Sequence, residues 1–90
     1  MSEIDRTVTI RNRLGLHARP AGEFVKTASR FSAKITISKG ELEVNGKSIM
    51  GVMTLAAECG SKVTVKAEGE DAELAVNALA EVLDTEFGDL

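Results

Sequence analysis

Apolar and polar positions along the chain switch between a period of two and a period near 3.6, and each switch marks an element. Val8 and Ile10 share one face of an alternating stretch over about Ile4–Arg11, with Arg6 interrupting that face towards its outer end. Phe24/Val25, Ala28 and Phe31 then repeat at i, i+3/i+4, i+7, which predicts an amphipathic helix over about Ala18–Arg30, slightly weakened by Gly22. Ala33, Ile35 and Ile37 alternate with Lys34, Thr36 and Ser38 to give a second strand, Ala33–Ser38. Lys39-Gly40 turns the chain, and Leu42 and Val44 form one face of a third strand between Glu41, Glu43 and Asn45, so the pair reads as a hairpin. Asn45-Gly46 breaks it. Ser48 then stands at an N-cap position ahead of Ile49, Val52/Met53 and Ala56 at helical spacing, with Gly60 as the expected stop. Val63, Val65 and Ala67 alternate with Lys62, Thr64 and Lys66 as a fourth strand. The last helix runs from Asp71 or Ala72 to about Glu86, with Ala72, Ala75/Val76, Leu79 and Val82/Leu83 as its apolar stripe. Its polar face is Glu73, Asn77, Glu81 and Asp84; Asp71 is the expected cap, and Glu70 and Glu73 suit its positive end.

The order is β-α-β-β-α-β-α. Alternating strands expose one apolar face that amphipathic helices must cover, so the fold class is α+β, a two-layer open-faced sandwich. The pattern alone admits more than one strand order, a ferredoxin-like arrangement among them. No repeat, low-complexity linker or boundary interrupts the chain, and residues 1–90 are expected to form a single domain.

Composition narrows the function. With 43% hydrophobic and 28% charged residues the chain is ordinarily globular. A net charge of −3 with three Phe and neither Tyr nor Trp argues against binding nucleic acid or an anionic membrane surface. Cys59 is the only cysteine, so no internal disulfide forms, and no metal-ligand cluster surrounds it in sequence. The start, Met1-Ser2-Glu3-Ile4-Asp5, is unlike a signal peptide, and no apolar run approaches transmembrane length. A cytoplasmic protein without cofactor or metal is the expectation.

The candidate chemistry lies in Gly15-Leu16-His17-Ala18-Arg19-Pro20-Ala21, which holds the only histidine and the only proline. Proline is tolerated in the first turn of a helix, where its missing N–H has no intrahelical partner. His17 is therefore expected in a strand-to-helix turn, at or just before a helix N-terminus. Free N–H groups and partial positive charge there favour an anion, and Arg19 adds a fork of donors suited to phosphate. A lone histidine is ordinarily a surface or satisfied core residue, and periodicity by itself does not exclude that.

This block resembles the active-site signature of the histidine-containing phosphocarrier family, HPr and its nitrogen-branch relative NPr. The resemblance extends from Val8 to about Phe87 and includes a second block, Lys47-Ser48-Ile49-Met50-Gly51-Val52-Met53, similar to the family's regulatory-serine segment at the family's spacing. The run Ile10–Pro20 looks closer to the nitrogen branch, Lys47–Met53 closer to sugar-branch proteins. The resemblance implies a four-stranded antiparallel sheet covered by three helices, and phosphorylation at Nδ1 of His17. It also implies that Arg19 neutralises the incoming phosphate, that Pro20 sets the direction of the imidazole, and that small Ala18 lets a partner close over the turn.

The implied donor is Enzyme I, charged by phosphoenolpyruvate, and the implied acceptor is a histidine of an Enzyme IIA. The protein would be a phosphoryl-transfer intermediate, not an enzyme, and is expected to be a monomer. Histidine suits this role because its reference pKa of about 6.5 leaves it largely neutral near pH 7. Ser48 is explained by capping alone, while the resemblance implies its phosphorylation by an HPr kinase/phosphorylase. A phosphate there would add about −1.5 to −2 charge beside Ile49, Met50 and Met53. Met50 is expected to point outward and, with Leu16, to flank His17 as a partner contact. The alternative is a purely regulatory protein-binding module acting through phospho-Ser48, against which the presence of His17 counts.

Overall fold

The computed structural model describes residues 2–87, so the expected domain limits at 1 and 88–90 lie outside the described residues. Four strands and three helices follow in the order expected: β1 (Ser2–Thr9), α1 (Ala18–Ala28), β2 (Lys34–Lys39), β3 (Leu42–Asn45), α2 (Ile49–Thr54), β4 (Lys62–Gly69) and α3 (Ala72–Asp84). The sheet order is β1-β4-β2-β3, with every neighbouring pair antiparallel. This settles the strand order that alternation left open, against a ferredoxin-like arrangement.

Register explains the single apolar face. Val8 stands opposite Val63 and Ile4 opposite Ala67, while Ile35 meets Ala67 and Ile37 meets Val65 from the other side. Strand period two sends Ile35, Ile37, Val63, Val65 and Ala67 into the core and Lys34, Thr36, Thr64 and Lys66 to the opposite face. Helix period 3.6 supplies the facing layer: Pro20, Ala21, Phe24 and Ala28 from α1, and Ala72, Ala75, Val76, Leu79, Ala80 and Leu83 from α3. Phe24 is the largest fully buried side chain, and burying a residue of its kind contributes about 1.5–3 kcal/mol. The short α2 buries only Val52; Gly51 lies against Val44 and Asn45 of β3, and Ile49 lies towards α1.

Element ends differ from expectation where long-range contacts decide them. β1 starts at Ser2 and its ladder ends at Thr9, after which Ile10 exchanges backbone bonds with Gly60 and Ser61. α1 stops at Ala28, because Arg30 and Phe31 donate to Thr27 and Ala28 in tighter turns. α2 does not continue to Gly60. It stops at Thr54, where Lys39 Nζ donates to the carbonyls of Leu55 (3.3 Å) and Ala56 (3.4 Å), and Ala56 turns left-handed at φ 48°. Asp71 occupies the N-cap position of α3 but makes no capping bond: its carboxylate is drawn to Ser32 and Ala33 instead. α3 itself stops at Asp84, short of Glu86.

Candidate functional site

The loop from β1 to α1 is held against the segment after α2. Leu16 N–H donates to the Ala57 carbonyl at 2.8 Å, and Gly15 N–H donates to Asn12 O at 2.8 Å. Gly15 has φ 76°, and a Cβ there would lie 2.5 Å from Ala57 O, so the approach admits only glycine. Asn12 is the one buried polar residue among the described residues, at 3% exposure. Its Nδ2 donates to Gly15 O at 3.0 Å, and its Oδ1 accepts the backbone N–H of Phe87 at 2.9 Å. Both ends of the amide are thus satisfied, and the segment after α3 is pinned to the loop that presents His17. Glu86 Oε1 adds to this by accepting the Arg13 N–H at 3.1 Å.

His17 is the N-cap residue of α1, with φ −78° and ψ −172°. Its carbonyl accepts the Ala21 N–H at 3.0 Å, the first intrahelical bond, while its side chain makes no capping bond. The N–H groups of Ala18 and Arg19 therefore have no intrahelical partner, and no acidic residue occupies the first turn to compete for them. Pro20 sits at the third helical position and is buried, where its missing N–H costs no helix bond. The His17 ring is half-buried. Nε2 is enclosed and has no hydrogen-bond partner, alone in this respect among the buried side-chain nitrogen and oxygen atoms of the described residues.

Arg19 is exposed, and its guanidinium carbon lies 6.0 Å from the centroid of the Phe87 ring. Among the described residues no carboxylate pairs with it. Ala18, one position earlier, is exposed and small. Leu16 departs from expectation: at 5% exposure it is part of the core, so it offers no surface to a partner. The left-handed turn at Gly15 puts Leu14 outside instead, at 57% exposure.

On α2, Met50 is 76% exposed, with Ile49 and Met53 also exposed. Ile49 Cδ1 lies 3.9 Å from the position a Cβ would take on Gly22, so this apolar patch abuts α1. Ser48 caps α2, its Oγ accepting the Gly51 N–H at 3.2 Å. The approach to Ser48 is fixed by Lys47, whose Nζ donates to Phe31 O at 2.7 Å and whose N–H donates to Asn45 Oδ1 at 2.9 Å.

Asn12, Leu14 and Phe87 are the residues that pattern reading passed over. An asparagine three positions before a glycine is a turn signal, which marks Asn12 as a loop residue but not as a buried bridge. Nothing in the sequence pairs Phe87 with Arg19 across the fold. Among the described residues no cluster of His, Cys, Asp and Glu is suited to a metal ion, and no helix is long and apolar enough to cross a membrane.

A family model described as the PTS HPr component phosphorylation site matches residues 4–85. The chain is 45% identical to the phosphocarrier protein HPr of Treponema pallidum over 82 residues, covering 91% of this chain and 93% of that protein. It is 39% identical to the phosphocarrier protein NPr of Shewanella violacea over 87 residues, covering 97% and 96%. The crystal structure of an HPr from Bacillus anthracis superposes with a TM-score of 0.87 at 46% identity, covering 92% of this chain and 99% of that one. A histidine at a helix start, on this fold and with matches over nearly the full length, has one explanation: the chain belongs to the HPr family, the phosphocarriers of the phosphotransferase system, which shuttle a phosphoryl group without catalysing a reaction of their own.

Proposed function

We propose that Nδ1 of His17 is the atom that carries the phosphoryl group, received from Enzyme I and passed to a histidine of an Enzyme IIA. The observation that carries this reading is the enclosure of Nε2 at the N-cap of α1. A neutral imidazole holds its proton on one nitrogen and its lone pair on the other. With Nε2 enclosed, a donor's phosphorus approaches Nδ1, and attack from the neutral ring at that nitrogen leaves the ring proton on Nε2. Its lone pair forms the new P–N bond as the bond to the Enzyme I histidine breaks. The unpartnered N–H groups of Ala18 and Arg19 and the Arg19 guanidinium then meet the phosphate oxygens.

The site is an exposed helix end, which holds a phosphate well enough to accept it and loosely enough to release it. Pro20 orients the turn, Ala18 leaves room for a partner, and the exposed Ile49, Met50 and Met53 of α2 offer adaptable apolar contact, with Leu14 exposed in the histidine loop. We read the chain as a monomer built from a single HPr-like domain, and the family's role supports a cytoplasmic location. Ser48 fits a regulatory phosphorylation site for an HPr kinase/phosphorylase, since it opens the helix that carries Met50 and Met53.

The test is labelling from phosphoenolpyruvate with and without Enzyme I. One acid-labile phosphate per chain is expected only when Enzyme I is present, and none on His17→Ala. Undiminished labelling of that variant would remove His17 from the reaction.

A further inference from the structure

An exposed arginine that must meet a phosphate has two needs that conflict. Its long side chain has to be held in place, yet its N–H donors have to stay free. A carboxylate partner would meet the first need by occupying the donors and neutralising the charge. An aromatic ring meets both, because it engages the flat face of the guanidinium and leaves the N–H edge open. Arg19 is placed in that second way: the Phe87 ring lies 6.0 Å from its Cζ, and no described carboxylate pairs with it.

Phe87 is itself held. Its N–H donates to Asn12 Oδ1 at 2.9 Å, and the same buried amide donates through Nδ2 to Gly15 O at 3.0 Å, two residues before His17. One side chain thus sets the position of both the histidine loop and the ring under Arg19. We propose that Phe87 is a positioning residue for phosphoryl transfer: seated by Asn12, it holds the Arg19 guanidinium ready for the phosphate without consuming its donors. The inference rests on the assignment of His17 and Arg19 to the reaction.

The experiment is a double-variant cycle on the full chain, with transfer from phosphorylated Enzyme I measured at varied carrier concentration. Phe87→Leu keeps apolar bulk and removes the ring face, and Phe87→Trp supplies a larger one. Phe87→Leu is expected to lower kcat/KM about two- to fivefold, the factor that matches a cation–π attraction at an exposed site. Phe87→Trp is expected to restore it. In an Arg19→Ala background Phe87→Leu is expected to change nothing further. In the parent, the Arg19 side-chain NMR resonances should carry a ring-current shift that Phe87→Leu abolishes and Phe87→Trp retains.

Equal transfer by Phe87→Leu, or the same loss with Arg19 already absent, would overturn the proposal, as would Arg19 resonances indifferent to the ring. Should Phe87→Leu fold poorly, Phe87→Trp and the resonances decide alone: absence of the shift in the parent is sufficient to reject it. Failure of the underlying assignment looks different, because His17→Ala would then still be labelled while the ring-current result stood.

Discussion

A buried amide is tolerated only when both of its ends find partners, since an unsatisfied donor or acceptor loses water without replacement. Asn12 meets that condition by joining Gly15 O to the Phe87 N–H. Removing it strands the Gly15 carbonyl and frees the segment that carries Phe87. Asn12→Ala is therefore expected to destabilise the protein by about 1–3 kcal/mol, read from the denaturant midpoint. It is also expected to slow phosphoryl transfer under conditions where the variant is fully folded. Stability unchanged within about 0.5 kcal/mol would show that the bridge is dispensable, because surface substitutions ordinarily stay within that range. His17 has the opposite character: its Nε2 has no partner at all. One residue holds the loop through complete satisfaction; the other keeps one nitrogen enclosed, which leaves Nδ1 as the side of the ring open to a donor.

At the scale of elements, the order and type of every segment were legible in the chain because the apolar positions switch period from one element to the next, even where Arg6 interrupts the face of β1. The ends were less so. The helical spacing in α2 continues through Ala56, yet the helix stops at Thr54, because Lys39 reaches across from β2 to take the Leu55 and Ala56 carbonyls. A contact between residues so far apart in sequence leaves no mark on local periodicity. Leu14 and Leu16 are likewise equivalent as letters, and only the left-handed turn at Gly15 decides which is buried. Ser48, by contrast, was readable as a cap, because an N-cap bond is made within three residues. Its two roles separate experimentally. Ser48→Ala is expected to cost about 1 kcal/mol through the lost bond to Gly51 while transferring phosphate nearly normally. Phosphoserine places a dianion next to the Met50 patch, and Ser48→Asp supplies a single charge, so His17 labelling by Enzyme I should fall in the order parent, Asp, phosphoserine. Equal rates for all three would reduce Ser48 to a helix cap.

For the molecule as a whole, the two ends of the sheet have to be kept in register with the helices above them, and Asp71 contributes a link that no single element could make. Gly69, at φ 148°, brings the end of β4 against Ala33, where an added Cβ would sit 3.0 Å from the Ala33 Cα. That approach lets the Asp71 carboxylate, at the start of α3, accept from Ser32 N–H (2.9 Å), Ser32 Oγ (3.3 Å) and Ala33 N–H (2.9 Å), where the chain passes from α1 to β2. The bond from the Ser32 N–H, joined by those from Ala33 and the Ser32 hydroxyl, outweighs partial desolvation and holds the carboxyl below its ordinary pKa of 3.8. A folded-state pKa below the unfolded one means that the unfolded chain binds the proton first as pH falls. The stabilisation is thus fully present above the ordinary value and is lost as pH drops through the depressed one. Asp71→Asn removes the charge and keeps the shape, so its Tm should lie below that of the parent at neutral pH. The gap should narrow as pH falls below the ordinary carboxylate value and the parent carboxylate takes up its own proton. Scanning calorimetry of both proteins from neutral to acid pH measures this directly. A gap that is constant across the range would mean that Asp71 acts through shape alone and that its charge contributes nothing to joining the two halves of the fold.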